Sequence, residues 1–250
     1  MQKYAEDYKK EIFTDTWYSK EQHGFANAEE YNNHKKAMLK SVYENGGFYI
    51  GKYEVGTESL RTTKDAPLTT PVIKEGAYPY NYVTNKQAQE KSKELATGGR
   101  TSSLMFGIQW NLVLKHIETK QGKTPEELKN DSTTWGNYGN ATFEITKGKY
   151  SEDYGYTFTE VKGTYARPSN HYVLLTTGAT ERNSMLNIYD LAGNESEWTL
   201  EKYTVTSVPS VHRGGCFSND GAYFPAAYRD ISSTSFSVVS ISFRPALWSN

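Results

Sequence analysis

Apolar residues recur at a helical spacing in the first 45 positions. In ANAEEYNNHKKAMLKSVYENGG, Ala28, Tyr31, Met38, Leu39 and Val42 fall near one face of a helix, and Gly46-Gly47 after Asn45 supply the left-handed residues that end it. The period then changes in GGFYIGKYEVG, where Phe48 and Ile50 alternate with Tyr49, Tyr53 and Val55, as in a strand covered on both faces. Residues 56–85 carry prolines and threonines without a sustained period and read as a long loop with short extended pieces. NKQAQEKSKELATGG predicts a polar-faced helix stopped by Gly98-Gly99. SSLMFGIQWNLVLKHIET, apolar nearly all round, predicts a buried helix with Trp110 as a core anchor. TPEELKND opens like a short helix, with Thr124 as cap and Pro125 in the first turn. From about residue 131 the chain turns to Gly, Ser, Thr, Asn and Tyr with short β-prone runs such as HYVLLTT, NIYDLAG, ESEWTLE and HRGGCF. Helices first and strands later, without βαβ alternation, indicate an α+β fold with short irregular strands and two or three helices. The expected division is a helical N-terminal lead-in, residues 1–45, and one domain, residues 46–250.

Charge and composition narrow the function. A net charge of -1 with both signs scattered gives no basic stripe, so no nucleic-acid partner is expected. No window approaches the roughly 18 to 20 apolar residues of a membrane span, and MQKYAEDYKK has charges where a signal peptide needs apolar residues, so neither membrane insertion nor a signal peptide is expected. The single cysteine, Cys216, rules out an intrachain disulfide and a multi-thiolate metal site. Twenty tyrosines on a polar chain suit a loop-rich protein with recognition surfaces.

Several later stretches make local sense by themselves. Ala192-Gly193-Asn194 is a turn signal, after which Trp198 starts a strand with its indole in the core. The two glycines of RGGCF allow a bulge or a close backbone approach. In ISFRPAL, Phe243 alternates with Arg244, and a buried arginine there needs a carboxylate, Glu197 or Asp190. Taken in order over roughly residues 46–247, GGFYIGKYEVG, the Trp110 helix, NIYDLAGNESEWTLE, HRGGCF and ISFRPAL resemble the strand, helix, "YDMxGNVWEWT", "RGGSW" and "GFR" segments of the formylglycine-generating enzyme (sulfatase-modifying factor) family. The resemblance implies a C-type-lectin-like fold of that type. It also implies chemistry by two cysteines that bind copper and oxidise a substrate cysteine. Here the corresponding stretch reads GGCFSNDGAYF, with Cys216 in the serine place and no second thiol. Related iron-dependent sulfoxide synthases use a histidine cluster, but His23, His34, His116, His171 and His212 lack the close spacing of one. The chain therefore reads as a binding protein with no catalytic residues and no required cofactor, a metal-dependent oxidase of the parent family being the alternative. The resemblance also allows a structural calcium ion at Asn194 and Glu197; the other reading makes Asn194 a turn residue and Glu197 the partner of Arg244.

The segment CFSNDGAYFPAAYRDISSTSFSVVSI contains no Lys, Glu, Gln, Met or Trp, the types whose codons need a purine in the third position. Inside the frame RGGxxxxGxxxPAAYRD and SFRPAL, it resembles the variable region, here residues 213–247, of lectin-fold proteins diversified by retroelements. The resemblance implies that Cys216, Ser218, Asn219, Asp220, Ala222, Tyr223, Phe224, Ile231, Phe236, Val238 and Val239 are exchangeable ligand contacts. Gly221, Pro225, Arg229 and Phe243 would be fixed. Tyr223, Phe224 and Phe236 would anchor a ligand, with Asn219 and Asp220 as polar contacts. Otherwise this is an ordinary loop and strand, with Val238, Val239 and Ile241 in the core and Cys216 an inert thiol; two adjacent valines in a strand would point to opposite faces. The expected role is recognition of a protein or glycan on a cell surface, by a phage receptor-binding protein or a bacterial adhesin. Its place would be the virion tail or the cell surface, and a homo-oligomer such as a trimer is allowed. A structural tail or cell-wall module is the remaining alternative.

Overall fold

The computed structural model describes residues 10–19, 24–120 and 122–249. His23 and the first nine residues of the expected lead-in lie outside the described residues. Helix α1 (Ala28–Asn45) is capped by Asn27, whose side chain accepts from the Glu30 amide at 2.9 Å, and ends at Gly46 with φ +76°. Its buried face is Tyr31, Met38 and Ser41, with Val42 against the core. Leu39, expected on that face, is exposed, because one step beyond Met38 turns it about 100° away. The helix belongs to the main core, since Tyr31 is fully buried and its hydroxyl donates to the Leu200 carbonyl at 3.2 Å. Among the described residues, Tyr31 and Met38 of α1 share the main core with elements that follow residue 46.

Among the described residues six small sheets form, and two of them organise the core and the site. The first is built on strand β4 (Ser196–Tyr203), which pairs antiparallel with β1 (Phe13–Thr14) and β5 (Ser210–Arg213) and in parallel with β7 (Ile241–Phe243); β6 (Arg229–Ser232) closes the edge beyond β5. In the second, β8 (Pro245–Trp248) lies between β2 (Tyr49–Ile50) and β3 (Thr101–Leu104). Ser102, Ser103 and Leu104 of SSLM, expected at the start of the buried helix, therefore belong to β3, and Met105 links the strand to the helix. The helix α3 (Gly107–Thr119) begins only after Phe106, whose amide donates to the Gln109 side chain at 2.9 Å. Strand β2 is covered on one side only, with Tyr49 exposed. Helix α2 (Asn85–Lys93) and the short α4 (Pro125–Lys129) both start with capping boxes, at Thr84 and Thr124.

Trp110, Trp135, Trp198 and Trp248 fill the core. Two of their indole N–H groups tie distant segments together: Trp110 donates to the Ala226 carbonyl at 3.0 Å and Trp198 to that of Val83 at 2.9 Å. Among the described residues, no helix is long and apolar enough to cross a membrane.

Candidate functional site

The frame under the site is a polar interior. Gly193 and Asn194 turn the chain at φ +70° and +59°, and a Cβ on Gly193 would lie 2.3 Å from the Asn137 carbonyl oxygen. The Asn194 side-chain oxygen accepts from Asn137 Nδ2 at 2.9 Å and from the Leu175 amide at 3.0 Å, and its NH₂ donates to Glu54 and to the Leu175 carbonyl. Arg244 donates from Nε to both Glu197 oxygens at 3.0 and 3.1 Å, and its other nitrogens reach Glu197, the Gly51 carbonyl and the Tyr189 carbonyl. Asn194 and Glu197, the residues a calcium ion was expected to use, are thus engaged as a turn residue and as the partner of Arg244. The described residues contain no group of three or more His, Cys, Asp or Glu able to hold a metal ion.

Four buried carboxylates, Glu54, Asp190, Glu195 and Glu197, share this interior with Arg244. Desolvation pushes all four up: Asp190 to about 6, and Glu54 and Glu195 well above the ordinary range. Neither Glu195 oxygen has a hydrogen bond of full geometry. Burial thus disfavours the charged form of Glu54 and Glu195 most, while Glu197 keeps the Arg244 guanidinium as its partner.

The RGG motif fixes the entry to the candidate segment. Gly214 and Gly215 adopt φ +91° and +69°, and a Cβ on Gly215 would sit 2.4 Å from the Phe224 carbonyl oxygen. Glu201 clamps the base, accepting from Arg213 Nη1 at 2.7 Å and Arg229 Nε at 2.6 Å across β5 and β6.

Above that base the segment turns outward. The Asp220 carbonyl accepts from the amides of Tyr223 and Phe224, and its carboxylate accepts from the Ala222 amide at 2.8 Å, which puts Ala222 and Tyr223 at the tip. Tyr223 is 76% exposed and Phe236 39%. Phe224 is half-buried, its ring edge-on to Tyr228 at 4.7 Å. Ser218, Asn219, Asp220 and Ile231 are also half-buried. Asn219 is pinned through its backbone, its carbonyl accepting from the Gly139 amide at 2.7 Å. No strand runs through Val238 and Val239, so the two do not alternate. Both are half-buried, Val238 against the main core and Val239 against a small cluster of Leu174, Cys216 and Phe217.

Cys216 departs from the expectation of an outward contact. It is 4% exposed, its thiol donates to Asn219 Oδ1 at 3.2 Å, and burial pushes its pKa up. Its place is the floor of a groove of about 520 Å³ between the 216–219 turn, β6 and Phe236, where His212 and several serines also lie. His212 is a buried neutral imidazole, its pKa brought down to about 4 by desolvation, with Nε2 3.1 Å from the Ser232 hydroxyl. His34 is likewise pushed down to about 4, among Phe25, Phe106 and Trp248.

Sequence reasoning missed Tyr82, Tyr154, Tyr156 and Tyr172, which border this segment from outside it. The run EDYGYTF, polar and aromatic around a glycine, was the available signal.

Two solved structures are similar at low identity. CarF is 15% identical over 68% of this chain and 67% of its own, with a TM-score of 0.46. Treponema denticola variable protein 1 is 17% identical over 66% of this chain, with a TM-score of 0.32, and this chain spans 54% of its length. Neither likeness carries a residue role across. No curated protein sequence matches this one. The sulfatase-modifying factor enzyme 1-like domain matches residues 21–247, from within α1's approach to the end of β8, and the chain belongs to that family.

Proposed function

We propose that this chain is a recognition protein, presenting the turn at 218–224, β6 and the stretch to Val239 as a replaceable binding face on a fixed frame. One observation carries the reading. Within a single segment, the positions expected to vary reach solvent, Cys216 excepted, whereas Gly221, Pro225 and Phe243 lie inside and Arg229 is clamped by Glu201. Surface positions tolerate exchange at a few tenths of a kcal/mol, so such a partition suits a face that changes while the fold does not. The missing purine-ending codon types give an independent reason to place it among retroelement-diversified variable proteins. Its ligand is then a protein or glycan on a cell surface, and the chain acts as a phage receptor-binding protein or an adhesin, at the virion tail or cell surface, with a trimer as one assembly. It does not use the two-cysteine oxidation of its family, because the lone thiol is buried and held protonated, which is unsuited to copper ligation. The test is genomic. The expected finding is a reverse-transcriptase gene beside this one, with a near-copy of the codons for residues 213–247 that differs at adenines. Sister genes varying as freely at Gly221, Pro225 and Phe243 as at Tyr223 and Phe236 would sink the reading.

A further inference from the structure

Three tyrosines outside the candidate segment, Tyr82, Tyr154 and Tyr172, stand beside it, and a fourth, Tyr156, faces Tyr82. The rings of Tyr154 and Tyr172 meet edge-on at 5.8 Å, and Tyr154 lies 6.0 Å from Phe217. Tyr82 faces the Tyr156 side chain, and the Tyr82 amide donates to the Val238 carbonyl at 3.1 Å. The packing is close: a Cβ on Gly155 would be 3.1 Å from Val239 Cγ2, and one on Gly139 would be 3.1 Å from the Tyr172 ring and 3.2 Å from the Asn219 carbonyl oxygen, so the neighbours would have to give. Tyr154, Tyr156 and Tyr172 are nevertheless 46%, 58% and 42% exposed.

Two features set this cluster apart from ordinary surface tyrosine. Tyr82 and Tyr154 hold φ at +52° and +57°, a region that bulky side chains rarely adopt and that glycine would occupy without strain. Exposed packing does not explain keeping a large ring there. Charge is the second feature. Glu152 and Asp153 directly precede Tyr154, Asp220 and Asp230 belong to the segment, and Asp153 is held ionised, down to about 2, by bonds from Thr157 and Ser151. Opposing positive charge is turned elsewhere: Arg229 to Glu201, and Lys149 onto the Tyr78 ring and hydroxyl. His171, 3.7 Å from Glu152, is the basic group nearest the carboxylates.

We infer that Tyr82, Tyr154, Tyr156 and Tyr172 form a fixed aromatic half of the binding face, and that this half takes a protein partner through its arginine and lysine side chains. The inference rests on the recognition reading above. A guanidinium or ammonium group stacks on tyrosine faces and pairs with neighbouring carboxylates, so rings and acids together select cationic side chains. A neutral glycan would stack on the rings and offer hydroxyls to the carboxylates, but would leave their charge unpaired. The variable half would then choose among partners, while the constant half supplies the affinity common to them.

The experiment pans a library of short random peptides on the full chain, in parallel with a glycan array. Expected are peptides enriched in Arg and Lys, whose affinity falls as salt rises and on replacing arginine by citrulline. Tyr154→Ala and Tyr172→Ala should each weaken the selected peptide about tenfold or more. Tyr154→Gly should do the same with a melting temperature no lower than the parent's. Glycan binding instead, no enriched peptide, or neutral or acidic winners overturn the inference. If Tyr223→Ala and Phe236→Ala abolish binding while the Tyr154 and Tyr172 variants bind normally, the tyrosine half fails and the recognition reading survives. If neither set matters, both fail.

Discussion

The interior around Arg244 and the face from Ser218 to Val239 are held in opposite ways. Beneath the Gly193-Asn194 turn the side chains do the holding: Asn194 bridges Asn137, Leu175 and Glu54, and Arg244 bridges Glu197 to two carbonyls. On the face, the backbone does much of the holding. The Gly221 carbonyl accepts from the Ser132 amide, that of Asn219 from Gly139, that of Val238 from Tyr82, and the Ala227 amide donates to the Leu128 carbonyl. A segment fixed through its main chain keeps its course when its side chains change. A region fixed through side chains does not.

That difference is broken most severely in the interior. Arg244→Ala should cost about 3 to 5 kcal/mol, because it strands the Glu197 carboxylate without its cation. Trp198→Ala should cost a similar about 3 to 5 kcal/mol by opening a large void. Urea unfolding measures both, and a loss below about 1 kcal/mol for Arg244→Ala would mean that the interior is not locked by its side chains. Replacing both partners, Glu197→Leu with Arg244→Met, should recover part of the loss, since no buried charge is left alone.

How much of this was legible in the sequence follows from how local each feature is. The Thr124 cap and the Gly46 stop depend on neighbours within one turn and could be read directly, whereas the helix expected to run to Gly98-Gly99 ends at Lys93. The Arg244 to Glu197 pair was legible because a buried guanidinium has few partners that suffice, and two carboxylates lay in the right motif. SSLM was misread as helix because its partner, Pro245–Trp248, lies far along the chain; pairing at a distance overrode an apolar run that suits either element. Cys216 was placed outward by its position in the variable frame, and what buries it is contact with Leu174 and Phe217, which no local pattern reveals. The tyrosine cluster escaped for the same reason, since residues near 82, 154 and 172 meet only in three dimensions.

The buried acids give a smaller effect with a definite sign. A carboxylate raised by burial adds stability that is full below its unfolded value, about 4, and is lost as pH rises through its folded value. For Asp190 and Asp15 that loss falls between about 4 and about 6, and for Glu54 and Glu195 it continues upward. His34 and His212 act oppositely: lowered to about 4, they add stability above about 6.5 that is lost as pH falls through about 4. Glu195→Gln keeps the shape without the charge. It should flatten, by a few degrees, the fall in melting temperature that sets in as pH rises past the unfolded value of about 4, with little difference below that value. Parallel curves for variant and parent would show that Glu195 is not held neutral.

The smallest effects belong to the face, and they test the comparison most directly. Tyr223→Ala should change stability by about 0.5 kcal/mol or less, with Phe236→Ala somewhat higher because less of its ring is exposed. Ile241→Ala, at the end of the same segment but 2% exposed, should cost about 2 to 5 kcal/mol. Tyr223 and Phe236 stand in irregular stretches, whereas Ile241 opens strand β7 with its side chain in the core, so the three compare outward with inward placement inside one segment. Thermal melts that rank Ile241→Ala far below the other two would assign the tolerance of this segment to outward placement; if Tyr223→Ala lowers the melting temperature as much as Ile241→Ala does, the segment is part of the core's own structure and cannot vary freely.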